Sequence, residues 1–173
     1  MNNDSSAEKE LLEDDLEQSD QFLTFLLGGE VFAINILNIR EILEYSPLTP
    51  VPMTPDFISG VLNLRGSVVP VINLALRFEK PKSEITKRTS IVIVEITHDD
   101  QKMDIGVIVD IVNEVIEIPE IQSAPSFGAS IRTDFIEGMG KVNDGFTIIL
   151  DLNHVLSVDE LSVLQATQIQ GEY

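Results

Sequence analysis

The sequence predicts a mainly β protein made of two small barrels, and three observations lead to that prediction. Ile and Val are abundant and Trp is absent, a composition typical of strands. Short apolar runs with alternating character are separated by turns rich in Gly, Pro, Asn and Asp. The second half of the chain also repeats the pattern of the first half, so one architecture is expected twice.

Length and composition limit the classes of function. The chain has 173 residues, 43% of them hydrophobic, which is enough for a packed core. No apolar run approaches the ~18 residues that cross a bilayer, and the start of the chain does not resemble a secretory signal. Cysteine is absent, which excludes disulfides and thiol catalysis and fits a cytoplasmic location. A net charge of −18 disfavours contact with nucleic acid or anionic lipid.

The first twenty residues form a strongly acidic leader. Residues 1–20 contain eight Asp and Glu residues against Lys9 alone. We expect this leader to be solvated and disordered, because it offers little apolar surface to bury. A short acidic helix that uses Leu11, Leu12 and Leu16 is the alternative.

The next segment predicts a hairpin followed by a corner. Phe22–Leu27 and Val31–Ile36 are strands joined by a Gly-rich turn. After Ile36 the apolar alternation changes phase, which a strand can do only through a bulge or bend. Four prolines within residues 46–55 then predict an extended arch. Thr54 followed by Pro55 is typical of a helix N-cap, so one helical turn is expected there.

The remaining strands and turns are predicted from the same features, namely apolar runs and the positions of Gly and Pro. Gly60 and Gly66 are expected in turns, and Pro70 places the strand Val68–Leu74 at an edge or bulge. Residues 81–88 form a polar connector that is rich in basic residues. Further strands are predicted at Ser90–Ile96, Met103–Val109, Val112–Ile118 and Phe146–Leu152. Ser157 and Glu160 form a capping box that predicts a C-terminal helix.

An internal duplication organises these elements. Asp56–Gly60 reads DFISG and recurs as DFIEG at Asp134–Gly138, a shift of 78. At a shift of 73, residues 34–44 match residues 107–117, including two glutamates. Apolar strands resemble one another by chance, but that does not easily explain the shared D-F-I-x-G. We infer two copies, each with about five strands and one helical turn, and a groove between the two barrels.

One difference between the copies affects a possible ion pair. Glu41 is retained as Glu114, whereas Arg65 is replaced by Asn143. An acid–base pair is therefore possible only in the first copy. A solvated turn arginine is the plain interpretation of Arg65, and a guanidinium held by Glu41 and presented to a partner is the functional one.

Motifs for catalysis or metal binding are absent from the sequence. His98 and His154 have no metal-ligand spacing, and no cysteine can assist them. The glycines around Gly138 and Gly140 do not match a dinucleotide or P-loop pattern, and Asp151-x-Asn153 lacks the rest of a calcium loop. We therefore expect no enzymatic activity, no cofactor and no metal.

The segment from Phe57 to Leu74, FISGVLNLRGSVVPVINL, resembles the signature stretch of the CheW family of bacterial chemotaxis coupling proteins. The resemblance runs from about Gln21 to Leu156, and it predicts three regions: the leader 1–20, a double-barrel domain 21–156, and a C-terminal helix and tail 157–173. It implies two intertwined five-stranded SH3-like barrels. It also implies an adaptor between the cytoplasmic tips of methyl-accepting chemoreceptors and the regulatory domain of the histidine kinase CheA, recruited to membrane-associated arrays without inserting into the membrane.

Site residues are carried over from the family by position. The receptor-binding groove is assigned to Ile39, Glu41, Arg65 and Val112. The kinase-binding side is assigned to Ser90 and Gly106. The acidic leader departs from the family pattern. A paired-barrel module that binds a small ligand is the alternative function, and it would need a pocket with convergent polar groups.

Overall fold

The computed structural model describes residues 20–123, 130–157, 160, 161 and 164. The leader before Asp20 and most of the predicted C-terminal helix lie outside these residues. Eleven strands are present in the described part. They are β1 Gln21–Leu27, β2 Glu30–Asn35, β3 Ile39–Glu44, β4 Ile58–Leu64, β5 Ser67–Asn73, β6 Ser90–His98, β7 Gln101–Val109, β8 Ile111–Glu117, β9 Ile121–Gln122, β10 Ile136–Val142 and β11 Gly145–Leu150. One helical turn, α1, spans Leu74–Arg77.

The strands form two sheets that exchange elements between the halves of the chain. One sheet has the order β8-β1-β2-β11-β10-β9, and the other has the order β3-β6-β7-β5-β4. The first two strands therefore join the second half, while β6 and β7 join the first half. The fold is mainly β with two intertwined barrel-like sheets, which confirms the predicted fold class.

The pairing register supports the duplication. Thr49 bridges Val61 in the first copy, and Gln122 pairs with Met139 in the second. These partners differ by the shifts of 73 and 78 that the sequence shows. A register shift between Ile58 and Gly60 also recurs between residues 136 and 138. The two copies thus share their bulges as well as their strands.

Alternating side chains divide the interior into three clusters. The largest lies between the sheets and includes Phe25, Phe32 and Val107, all fully buried. A second cluster fills the inner face of the five-stranded sheet around Val71 and Ile93. A third, smaller cluster fills the inner face of the six-stranded sheet. Strands β1 and β6 contribute to two clusters each, which explains their nearly continuous apolar sequence.

The corner after β2 is a short 3-10 turn, Ile36–Asn38, capped by the Asn35 side chain, which accepts a hydrogen bond from the Leu37 amide at 2.9 Å. The change of phase in the sequence therefore marked a real bend. Pro70 lies just outside the ladder between β5 and β7, which begins at Val71. Its missing amide is tolerated there because the ladder does not extend to it.

Two local predictions are wrong. No helix begins at Thr54, and its hydroxyl caps nothing, since it donates to the Val51 carbonyl at 2.8 Å. The chain makes only a single hydrogen-bonded turn there, from the Ile58 amide to the Pro55 carbonyl, and the equivalent segment of the second copy is the 3-10 turn Thr133–Phe135. The helical turn of the first copy lies instead at α1, where Asn73 accepts a hydrogen bond from the Leu76 amide. Gly60 is not in a turn either: it lies within β4 at the bulge. A Cβ at that position would come within 2.5 Å of the Thr49 carbonyl oxygen, so only glycine fits.

The predicted capping box is present. The Ser157 amide donates to Glu160 Oε1 at 2.7 Å, and the Glu160 amide donates to Ser157 Oγ at 3.2 Å. Leu161 and Leu164 are buried against the central cluster. The extent of a helix beyond them stays a prediction, as do the domain boundaries.

Candidate protein-docking surface

Glu41 and Arg65 form a bidentate ion pair. Arg65 Nη1 lies 3.1 Å from Glu41 Oε2, and Arg65 Nη2 lies 3.2 Å from Glu41 Oε1. Glu41 stands on β3, and Arg65 stands at the tip of the β4–β5 hairpin. The arginine side chain is 76% exposed, whereas the glutamate side chain is 27% exposed. The pair therefore orients a guanidinium toward solvent and fixes it in one direction.

Arg65 adopts a left-handed backbone conformation, which costs conformational free energy for a residue other than glycine. Arg65 has a φ of 52° and Gly66 a φ of 86°, as a two-residue hairpin turn requires. Asn143, the equivalent residue of the second copy, has a φ of 54°. Asn adopts this left-handed region several-fold more readily than Arg. The first copy thus keeps an arginine where the local backbone favours asparagine.

Ile39 and Val112 occupy equivalent places on opposite sheets. Ile39 lies on β3 and Val112 on β8, and both are half-buried against the central cluster. Val112 also lines an open cleft of about 480 Å³ with Thr24, Arg88 and Glu114. The fold thus brings Glu41 and Arg65 into direct contact and places Ile39 and Val112 at the junction of the two sheets.

Ser90 and Gly106 lie on neighbouring strands but differ in accessibility. Ser90 starts β6, is half-exposed, and pairs with Glu44 and Val109. Gly106 is buried in β7, and a Cβ there would lie 2.8 Å from Ile91 Cγ2. Gly106 can therefore influence a partner only by allowing close packing beneath β6.

A charged network beside Glu41 was not anticipated from the sequence. Arg40 Nη2 lies 2.8 Å from Glu95 Oε2, and Arg40 Nε lies 3.2 Å from Asp104 Oδ1. Lys102 approaches Glu95 at 3.7 Å. These residues stand on the adjacent strands β3, β6 and β7, so the network could be found only once the strand order was known.

Arg77 lies between the two equivalent phenylalanines of the repeat. Its guanidinium carbon is 4.6 Å from the centre of the Phe57 ring and 5.0 Å from that of Phe135. Its Nε donates to the Val155 carbonyl at 2.6 Å, and Val155 is the residue that a shift of 78 makes equivalent to Arg77. Arg77 therefore connects the two copies close to their approximate symmetry axis.

A second, polar cleft of about 170 Å³ contains Glu137, Asp151 and Asn153. Partial burial raises the pKa of Glu137, and the Asp151 carboxylate raises it further. Among the described residues, no group of three or more His, Asp or Glu side chains has an arrangement that could hold a metal ion. Within the same residues, no helix is long and apolar enough to span a membrane.

Comparisons with known proteins match this chain over most of its length. A family model described as a CheW-like domain matches residues 21–160. The chain is similar to the chemotaxis protein CheW of Klebsiella aerogenes, with 33% identity over 146 residues that cover 83% of this chain and 86% of that protein. It is also similar to CheW of Bacillus subtilis, with 35% identity over 145 residues that cover 82% and 90%. The crystal structure of the scaffolding protein TtCheW from Thermoanaerobacter tengcongensis matches with a TM-score of 0.74 and 37% identity, covering 83% of this chain and 91% of that one.

Proposed function

Because this chain belongs to the CheW-like family, we propose that it is a non-enzymatic chemotaxis adaptor that couples chemoreceptors to the histidine kinase CheA. The observation that carries the proposal is the family match over residues 21–160, on a double barrel whose halves are intertwined. In this proposal, cytoplasmic receptor tips and the kinase regulatory domain are the two partners.

The receptor side of the proposal rests on the junction between the barrels. Ile39 and Val112 would supply the apolar contacts, and Arg65 would supply the charged one. The ion pair with Glu41 holds the guanidinium in place before binding, so less side-chain entropy is lost when a partner carboxylate or carbonyl engages it. A half-exposed apolar floor beside a fixed charged group is typical of protein interfaces.

The kinase side of the proposal rests on the five-stranded sheet. Ser90 would contact the kinase domain directly from the start of β6. Gly106 would act indirectly, because its lack of a side chain lets Ile91 pack closely under that strand. The kinase-facing role of Ser90 therefore needs Gly106 as its support.

Co-sedimentation tests the proposal. Purified protein should pellet with receptor-bearing membranes, recruit the kinase to them and raise kinase autophosphorylation. Membranes without receptors are the control. Failure to bind either partner, across several candidate receptors and kinases, would exclude the adaptor function and leave the small-ligand module as the alternative.

A further inference from the structure

The basic residues of the described chain divide into paired and unpaired groups. Five of them make ion pairs, namely Arg40, Arg65, Lys80, Lys102 and Arg132. Arg77 stacks on two rings. Within the described residues, Lys82, Lys87, Arg88 and Lys141 make neither kind of contact. Three of these four exposed cations lie in the connector, residues 81–88, although the whole chain carries a net charge of −18.

The connector runs beside the beginning of β8. Lys82 lines a cleft of about 520 Å³ together with Asp110 and Ile111, which precedes Val112 on the strand. Arg88 lines the neighbouring cleft of about 480 Å³, which includes Val112 and Glu114. The connector contains one acid, Glu84, which lines the same cleft as Lys82. Its three cations still leave it with a net positive charge beside the first half of β8, and its apolar Ile85 is 49% exposed.

The acidic leader leaves the fold at the opposite end of the same strand. The Ile118 amide donates to the Asp20 carbonyl at 2.8 Å, which fixes the start of β1 at the end of β8. The seven residues from Val112 to Ile118 span about 20 Å. Residues 4–19 have a contour length of about 50 Å, which is enough for the leader to turn back along β8 and reach the connector.

We propose that the acidic leader, residues 4–20, docks in cis on the connector through Lys82, Lys87 and Arg88. Opposite charge selects the surface, and the short tether keeps the local concentration of the leader high, on the order of millimolar. Charge contacts of this kind do not require the leader to fold. The inference does not depend on the proposed function, because it uses only charge, reach and the two clefts.

Zero-length cross-linking tests the docking on the intact chain. A carbodiimide activates a carboxylate, and the lysine amine then displaces it to form an amide. The water molecule that is lost in forming the amide is taken up by the carbodiimide, which leaves as a urea. Yields are normalised to the reactivity of each lysine toward an amine-acetylating reagent. In about 0.1 M salt we expect leader carboxylates to couple to Lys82 and Lys87 at least about fivefold more than to Lys141, the unpaired lysine on β10.

Salt, a variant and isotopes complete the test. In about 1 M NaCl, where the Debye length is about 3 Å, the preference for Lys82 and Lys87 should disappear. Arg88→Gln should reduce it, and Lys141→Gln should leave the yields at Lys82 and Lys87 unchanged. Mixing unlabelled and ¹⁵N-labelled protein should give links within single copies. Equal coupling to Lys141, a preference that resists salt, or links mainly between labelled and unlabelled copies would each overturn docking in cis.

Discussion

Replacing Arg65 by asparagine is the most discriminating change that the repeat suggests. The substitution copies the residue that the second barrel already uses at the same turn, where Asn143 has almost the same backbone angle. It removes the guanidinium without disturbing the hairpin. Stability and partner binding should therefore respond in different ways.

The expected effect on stability is small. Loss of an exposed ion pair costs about 0–1 kcal/mol, because water screens the charges. A residue other than glycine in the left-handed region carries a penalty of about 1–2 kcal/mol, part of which asparagine avoids. These two contributions oppose each other, so we expect the free energy of unfolding of Arg65→Asn to stay within about 1 kcal/mol of wild type. Urea denaturation measures this directly.

The expected effect on binding is larger. An arginine at the centre of an interface typically contributes about 2 kcal/mol or more, which corresponds to a loss of roughly 30-fold in affinity. Titration calorimetry with the kinase regulatory domain and with receptor fragments would measure it. Arg65→Ala should show the same loss, and Arg65→Lys should recover only part of it, because an ammonium cannot make the planar two-point contact with Glu41.

The matched control is Asn143→Ala at the equivalent turn. It should cost some stability, because alanine disfavours a φ of 54°, and it should leave partner binding unchanged. Wild-type affinity of Arg65→Asn for both partners would refute the reasoning. A decrease of several kcal/mol in the free energy of unfolding of Arg65→Asn would refute it as well, because the ion pair would then be needed for folding.

Three further predictions concern other parts of the chain. Deletion of residues 1–19 should lower the melting temperature by less than about 5 °C, since the leader adds at most screened surface contacts; a larger drop in calorimetry would show that it packs on the core. Gly106→Ala should cost about 1–3 kcal/mol by overpacking against Ile91, seen as a lower urea midpoint, and should also weaken kinase binding, because the displaced Ile91 shifts β6 and Ser90. The folded chain holds the Glu137 proton more tightly than the unfolded chain does, because its pKa is raised above 4.5, so stability falls as pH rises through that pKa. Glu137→Gln should therefore stabilise the protein near pH 7, by less than about 1 kcal/mol for a side chain that is still largely exposed, but not at pH 4, as urea denaturation at the two pH values would measure.

The sequence predicted the elements whose causes are local. Alternating apolar residues and turn glycines located most of the strands, and the D-F-I-x-G repeat indicated the duplication. The helical turn was misplaced because Thr54 and Asn73 can both act as caps, and only the tertiary structure decides which one does. The bulge at Gly60 was taken for a turn because close approach of the arch at Thr49 is a long-range contact that spacing does not reveal.

The candidate site also contains contacts that the sequence could predict and contacts that depend on the tertiary structure. The Glu41–Arg65 contact was predictable because the second copy keeps the acid and loses the base, so the repeat itself supplied a comparison. The Arg40 network had no such signal, because its partners stand on β6 and β7 and come together only through the exchange of strands between the halves. Arg77 is a similar case, since it meets Phe57 and Phe135 only after both copies have folded around it.

In the proposed adaptor, intertwining explains how two nearly equivalent barrels would serve different partners. Each sheet contains strands from both halves of the chain. The two sheets are also joined by the central cluster and by Arg77. Two identical barrels would present the same surface twice and could not distinguish a receptor from a kinase. The two turns remove that ambiguity: Arg65 projects a fixed positive charge from one barrel, whereas the equivalent turn of the other barrel has Asn143 and the acidic Asp144. A shared backbone therefore keeps the geometry, and in the proposed adaptor a few side chains would assign the partners.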